Sequence, residues 1–360
     1  MALSKKTELT FIEVARAVAI FFVVMIHPIG RLADEANPDT VAIAMFICFA
    51  VPLFFLISGY LIGWKYQNRK EPFDASRFLR SKVYRIAIPF FAWNAIYILL
   101  LTGLDVSALL SWNVLWTFTT GWVHLYYLFV LLQLFVIYAL FFPRKGSSRA
   151  QTIFLVVAVV LTLLFNVISE LVYLKYGADN HHFEWTYGKV FAAWIGFFAW
   201  GIIIGARPTL AEWLRKRLWL LLAVSIAVFI VYYYQELLMA LADGYYCRQY
   251  FRVSGFVFQM FAATFTFFAS EAFVRWAKEN GRFTRTINHM VSLGGYSFGI
   301  YLNHYVSLIL MLYLFEYLSV PTAFWIRFPI VLPSIFLLSW AGVKIFTLGP
   351  LRRIYPILYG

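Results

Sequence analysis

The sequence predicts an all-α integral membrane protein of ten transmembrane helices with both termini in the cytoplasm. Three observations carry that reading. The 360-residue chain is 62% hydrophobic and 13% charged, whereas a soluble domain is about 45–50% apolar and about 25% charged. Apolar runs of spanning length, roughly 20 residues each, recur along the whole sequence. Basic residues then fall on alternate loops, as the positive-inside rule requires.

The runs fall at 11–30, 41–62, 85–102, 122–142, 151–172, 188–206, 217–238, 251–272, 291–315 and 323–347. The first follows Lys5-Lys6 and has no small-residue cleavage site, so it reads as a retained span and not a signal peptide. The third is entered through a basic helical approach at 77–85. Between runs the loops are short and polar, with turn formers such as Asn37-Pro38, Pro143 and Gly146-Ser147-Ser148. Ten spans and such loops use the whole length, which predicts one transmembrane domain over 1–360 and no soluble domain. There is no internal repeat and no low-complexity segment. Cys48 and Cys247, in or near spans, suit neither a disulfide framework nor a metal site.

A cytoplasmic amino terminus assigns every loop to a side. The inner segments then hold 23 of the 30 basic residues, including Lys65, Arg77, Arg80, Lys82, Arg85, Arg144, Lys145 and Arg149. The outer segments hold only six, Arg31, Lys175, Lys189, Arg248, Arg252 and Arg327, together with Asp34, Glu35, Asp39, Asp105, Asp179, Glu184, Asp243 and Glu316, and the remaining one, Arg16, lies within the first span. In a soluble protein a net charge of +13 points to nucleic acid. Its sorting by side makes membrane topology the better account here, and no nucleic-acid partner is expected.

Ionisable groups inside spans are costly and mark candidate functional sites. The first span holds Glu13, Arg16 and His27. Glu13 and Arg16 are three apart, on one helix face, where they can neutralise each other. Arg16 and His27 are eleven apart, which gives a shared stripe and a separation of about 16 Å along the axis. Pro28 removes a backbone donor beside His27. The plainer alternative is a snorkelling interfacial pair and a histidine capping a helix end. His124, which opens the fourth span at its outer surface, and His304, about thirteen residues into the ninth, fall at a similar depth. Together with His27 they suggest an outward pocket. His181-His182 with Glu184 is a solvated loop run more readily than a metal cluster, and no metal is expected. Arg77, Arg80, Lys82 and Arg85 form two pairs at i, i+3 spacing at the cytoplasmic mouth. Guanidinium forks suit phosphate oxygens, but anchoring against anionic head groups explains the same run. Trp112, Trp116, Trp122, Tyr126 and Tyr127 can stack on a sugar ring or form an interfacial aromatic belt.

Taken together, these segments resemble one family. Phe11 to His27, with Arg16, ten residues and His27, resembles the first-helix signature of the acyltransferase-3 family. V-P-L-F-F-L-I-S-G-Y-L at 51–61, which includes Ser58, is similar to its second-helix motif. R-x-x-R followed by K-x-x-R-I-A-I-P at 77–89 is similar to its basic segment. H-L-Y-Y-L at 124–128 and Y-S-F-G-I-Y-L-N-H at 296–304 resemble later signatures, in the family's order. The resemblance spans roughly 8–90 and 124–304. Glu13 stands where the family has Asp, Ala17 where it has Gly, and Lys82 at its first arginine before I-x-P, which leaves open the pair that meets the donor.

The resemblance implies a ten-helix bacterial inner-membrane enzyme that acylates a surface glycan with acetyl-CoA as donor. His27 is then the catalytic base, with Arg16 its partner and Glu13 beside it. Arg77, Arg80, Lys82 and Arg85 hold the CoA phosphates, and Ser58, His124, Tyr126 and His304 face the acceptor, a glycan or lipid-linked saccharide. The chain ends soon after its last run and resembles the branch without a hydrolase-like domain. The competing class is a transporter or flippase, which intramembrane charges also suit. Against it, the sequence has no repeated halves.

Overall fold

A chain in hydrocarbon must satisfy every backbone N–H and C=O within itself, so long apolar runs become helices. The computed structural model describes residues 5–32, 38–67, 73–102, 111–142, 148–177, 186–243 and 251–360, and among them there is no strand. Asp34, Glu35, Asp105, Arg144, Lys145, Asp179, His181, His182, Glu184, Cys247 and Arg248 lie outside the described residues.

Helix α1 runs unbroken over Lys5–Leu32. The second run forms α2 (Pro38–Ile47) and α3 (Ala50–Ile62), separated by a turn at Cys48-Phe49. The third begins as α4 (Ala75–Lys82), passes through a π-helical turn at Val83–Ala87 and continues as α5 (Ile88–Thr102). A short helix, α6 (Trp112–Thr120), precedes α7 (Tyr126–Phe141) and α8 (Ser148–Tyr176). After α9 (Ile195–Ala206) and α10 (Pro208–Arg215) come α11 (Leu218–Asp243), α12 (Val253–Glu279) and α13 (Thr284–Gly295). The last long helices are α14 (Ser297–Tyr317) and α15 (Phe324–Ile345), and α16 (Tyr355–Tyr359) is a single turn.

Among the described residues nine helices are long and apolar enough to span a membrane. The sixth run differs from its expected length. It yields only the 12-residue α9, about 18 Å long against a hydrocarbon core of about 30 Å. The physical reason is burial. Ile195 to Gly205 are buried apart from the half-exposed Trp200, so α9 is covered by protein on nearly every side and need not match the lipid thickness.

Contacts divide the chain into two compact units. The first comprises Met1–Pro72, Pro143–Gly188 and Ala192–Ser297; the second comprises Phe73–Phe142, Lys189–Phe191 and Phe298–Gly360. In the first unit α3 and α9 cross at backbone contact. A Cβ on Gly59 would stand 2.1 Å from the Phe198 carbonyl oxygen, and one on Gly201 would stand 2.1 Å from that of Leu56. Gly63 and Gly205 repeat the approach one turn on, so two small-xxx-small pairs face each other. Gly201→Leu is therefore expected to destabilise the first unit by about 3 kcal/mol, read as a lowered thermal midpoint in detergent. An unchanged midpoint would contradict this crossing.

Candidate active site

In the first unit α1 is wrapped by its neighbours. Phe11 packs edge-on against Tyr60 of α3 and Phe267 of α12, with ring centroids 6.1 and 5.3 Å apart. Beside it, Ile12, Ala15 and Ala19 are fully buried. On another face of the same helix, Arg16 Nη1 donates to Glu13 Oε1 at 2.9 Å, with side chains 32% and 23% exposed. The second carboxylate oxygen of Glu13 is buried without a hydrogen-bond partner. Helix α13 presses on the same point: a Cβ on Gly294 would stand 2.0 Å from the Glu13 carbonyl oxygen. Eleven residues on, His27 is half-buried, and Pro28 lies within the helix. The helix is continuous between them, which keeps Arg16 and His27 about 16 Å apart on one stripe. Ser58 lies on α3, half-buried, immediately before the glycine crossing.

The second unit builds a different constellation around a strained turn. Between α6 and α7, Gly121 has φ +99° and Val123 φ +27°, the latter costly for a β-branched residue. Polar side chains hold the turn from several elements. The Trp122 N–H donates to Asn94 Oδ1 at 2.8 Å, and Lys189 Nζ donates to the Gly121 carbonyl at 3.1 Å. Those are the two edges of one peptide unit. Lys189 also reaches Thr120 Oγ1 at 3.2 Å, while its own carbonyl accepts from Gln133 Nε2 at 2.9 Å. The Tyr301 hydroxyl donates to the His124 carbonyl. Non-helical backbone at membrane depth requires this kind of satisfaction. Asn94 lies eight residues before Thr102, the end of α5, or about 12 Å along the axis. The sequence places His124 at an outer surface; the structure buries it to 3% exposure at the level of Asn94.

The clamped turn sets His124 among aromatic rings. Its centroid is 4.6 Å from that of His304, and it stacks on Tyr305 at 5.4 Å with Tyr97 edge-on at 5.2 Å. His304 is fully buried, with Nδ1 2.7 Å from the Tyr301 carbonyl and 3.2 Å from that of Ile300. Facing carbonyls, Nδ1 carries the proton, so Nε2 holds the lone pair. The structure thus brings together two of the three histidines expected to converge. His27 belongs to the other unit. Tyr126 is half-buried at the start of α7, and Trp112 and Trp116 on α6 are exposed, as an aromatic belt requires.

Along the basic segment, Asp74 caps α4 by accepting from the Arg77 N–H at 2.9 Å. Arg77, Arg80 and Arg85 are exposed. Lys82 is half-buried, its ammonium 4.6 Å from the Phe135 ring centroid and 5.4 Å from that of Phe78. The π-helical turn widens the backbone at Val83–Ala87, so Arg85 leaves the regular α-helical face that the i, i+3 spacing predicts for it with Lys82. Three arginines, and not two pairs, face outward.

Several polar residues escape a reading of the sequence. Glu271 of α12 is 1% exposed and pairs with Arg215 at 3.0 Å and Arg275 at 2.8 Å. Glu236 of α11, fully buried, pairs with Arg252 at 3.1 Å. Each carboxylate interrupts a long apolar run, which was the available signal; the partners are not readable from spacing. Arg252, on an outer loop in the sequence, is 1% exposed in the structure. Among the described residues no three His, Cys, Asp or Glu side chains are grouped to hold a metal ion.

Apolar helices of spanning length, with paired charges inside them, define a multi-pass membrane protein. The acyltransferase domain pattern matches residues 9–344, and the chain belongs to the acyltransferase-3 family of membrane acyltransferases. No curated protein and no solved structure matches it.

Proposed function

We propose that the protein moves an acyl group, acetyl in the simplest case, from cytoplasmic acyl-CoA to a hydroxyl of an extracytoplasmic or lipid-linked polysaccharide. It does so in a bacterial cytoplasmic membrane as a single ten-crossing domain with both termini inside. One observation carries the reading: the family match includes an unbroken membrane helix that bears the Glu13–Arg16 ion pair and, eleven residues on, His27.

The residues divide the work. Arg77, Arg80 and Arg85, with Lys82 anchored behind them on aromatic rings, hold the phosphates of CoA by charge-assisted hydrogen bonds. Neutral His27 takes the proton of the acceptor hydroxyl. The oxygen attacks the thioester carbonyl, the C–S bond breaks, and the imidazolium returns its proton to the departing CoA thiolate. Glu13 neutralises and orients Arg16 within the span. Ser58, His124, Tyr126 and His304 serve the acceptor, His304 through the lone pair on Nε2.

The test is radiolabelled acetyl-CoA offered to membranes containing the protein. Label on glycan supports the proposal; solute flux without acyl-CoA and with no labelled product would replace it with a carrier. A second experiment isolates the donor site. Arg77, Arg80 and Arg85 changed together to Gln are expected to raise the acyl-CoA KM by about tenfold, with kcat nearly unchanged. An unaltered KM would return the basic run to membrane anchoring.

A further inference from the structure

The first unit contains a cavity of about 220 Å³ that the acyl-transfer chemistry does not use. Glu170 and Tyr173 of α8, Met239 of α11 and Arg252 at the start of α12 line it. Its depth follows from the helix ends. Glu170 is six residues from Tyr176, Met239 four from Asp243, and Arg252 caps α12. These offsets amount to about 9 Å or less along each axis, in helices long enough to cross a bilayer. The cavity is at head-group level.

Its charges are unbalanced in an informative way. The Arg252 guanidinium is 1% exposed, bonded through Nη2 to Glu236 at 3.1 Å and lying 5.3 Å from the Tyr173 ring centroid. Its Nε–H is buried with no hydrogen-bond partner. Glu236 cancels the charge of Arg252. Glu170 then leaves a net negative wall, because among the described residues no cation pairs with it. A ligand that completes the site presents an anionic oxygen to a buried N–H donor and a cation to a carboxylate. The remaining wall is an apolar strip, Val167, Leu171 and Leu174, which are 40%, 59% and 66% exposed on the lipid-facing side of α8.

We propose that this cavity binds the head group of a zwitterionic, amine-bearing phospholipid, with its phosphate on Arg252, its ammonium on Glu170 and its acyl chains along Val167, Leu171 and Leu174. A purely anionic lipid meets the uncompensated carboxylate and is disfavoured. A head group without an amine leaves Glu170 unpaired.

The experiment uses the full chain in detergent with equal amounts of phosphatidylethanolamine and phosphatidylglycerol, and native mass spectrometry to count lipid retained. Wild type is expected to retain phosphatidylethanolamine preferentially. Glu170→Gln should reduce that preference by about tenfold, and Glu170→Lys should invert it. Met239→Trp fills the cavity without changing its charge and should reduce retention of phosphatidylethanolamine, so a folding failure of the lysine variant leaves the question decidable. Preference for phosphatidylglycerol in the wild type, retention unaffected by Glu170→Gln, or no lipid retained at all would each overturn the proposal.

Discussion

His27→Ala is expected to lower the initial rate of acyl transfer by about 10²–10⁴-fold, the range that a positioned general base contributes. At physiological pH an imidazole is the side chain whose ordinary ionisation suits it to take a hydroxyl proton. Beyond Arg16 the only other titratable residue that α1 carries is Arg31, a cation that does not act as a base at this pH. The loss should be in chemistry and not in folding, because His27 is only half-buried and the buried α1 side chains around it, Val23, Val24 and Ile29, are left in place. The check is the rate of label transfer at saturating acyl-CoA, with the thermal midpoint as control. A variant that keeps wild-type turnover would remove His27 from the mechanism.

Arg16→Ala is expected to be comparably severe, for a different reason. The arginine neutralises Glu13 at 2.9 Å, and the second oxygen of that carboxylate is already buried without a partner. Removing the guanidinium leaves an uncompensated charge inside a span, which costs about 3–5 kcal/mol where burial is deep. The pair here is partly exposed, so the structural loss is smaller. Membrane insertion should be unaffected, since one cation within a span does not set topology. Arg16→Lys should restore little activity, because an ammonium lacks the planar fork. Glu13→Gln combined with Arg16→Ala separates the two effects: stability returns while transfer stays lost. Recovery of transfer in the double variant would show that Arg16 acts only as a counter-ion.

Much of this architecture was legible in the sequence because hydrocarbon is an undiscriminating solvent. Every long apolar run except 188–206 became a helix or helix pair of spanning length. That exception reads as a span by composition, and only its enclosure by protein explains why 12 helical residues suffice. The charges of α1 were readable because both lie on one helix at fixed spacing. Lys189 and Asn94 were not: each grips the peptide between Gly121 and Trp122, Lys189 from 68 positions along the chain and Asn94 from 28. The same applies to Glu236 and Glu271, whose partners belong to neighbouring segments. G-Y-L-I-G at 59–63 and G-I-I-I-G at 201–205 are visible as small-xxx-small pairs, although only the structure sets one against the other. Depth was harder than grouping. His124 and His304 were expected at one level and are in ring contact, yet the turn that carries His124 lies well inside the span.

In the proposed reaction acyl groups enter from the cytoplasmic face and leave on an acceptor hydroxyl at the other. Sealed right-side-out vesicles, loaded internally with radiolabelled acetyl-CoA and carrying acceptor glycan outside, test it directly. Label should appear on the external glycan with wild-type protein and be absent with His27→Ala. Label that reaches the glycan only when acetyl-CoA is supplied on the glycan's own side would contradict it.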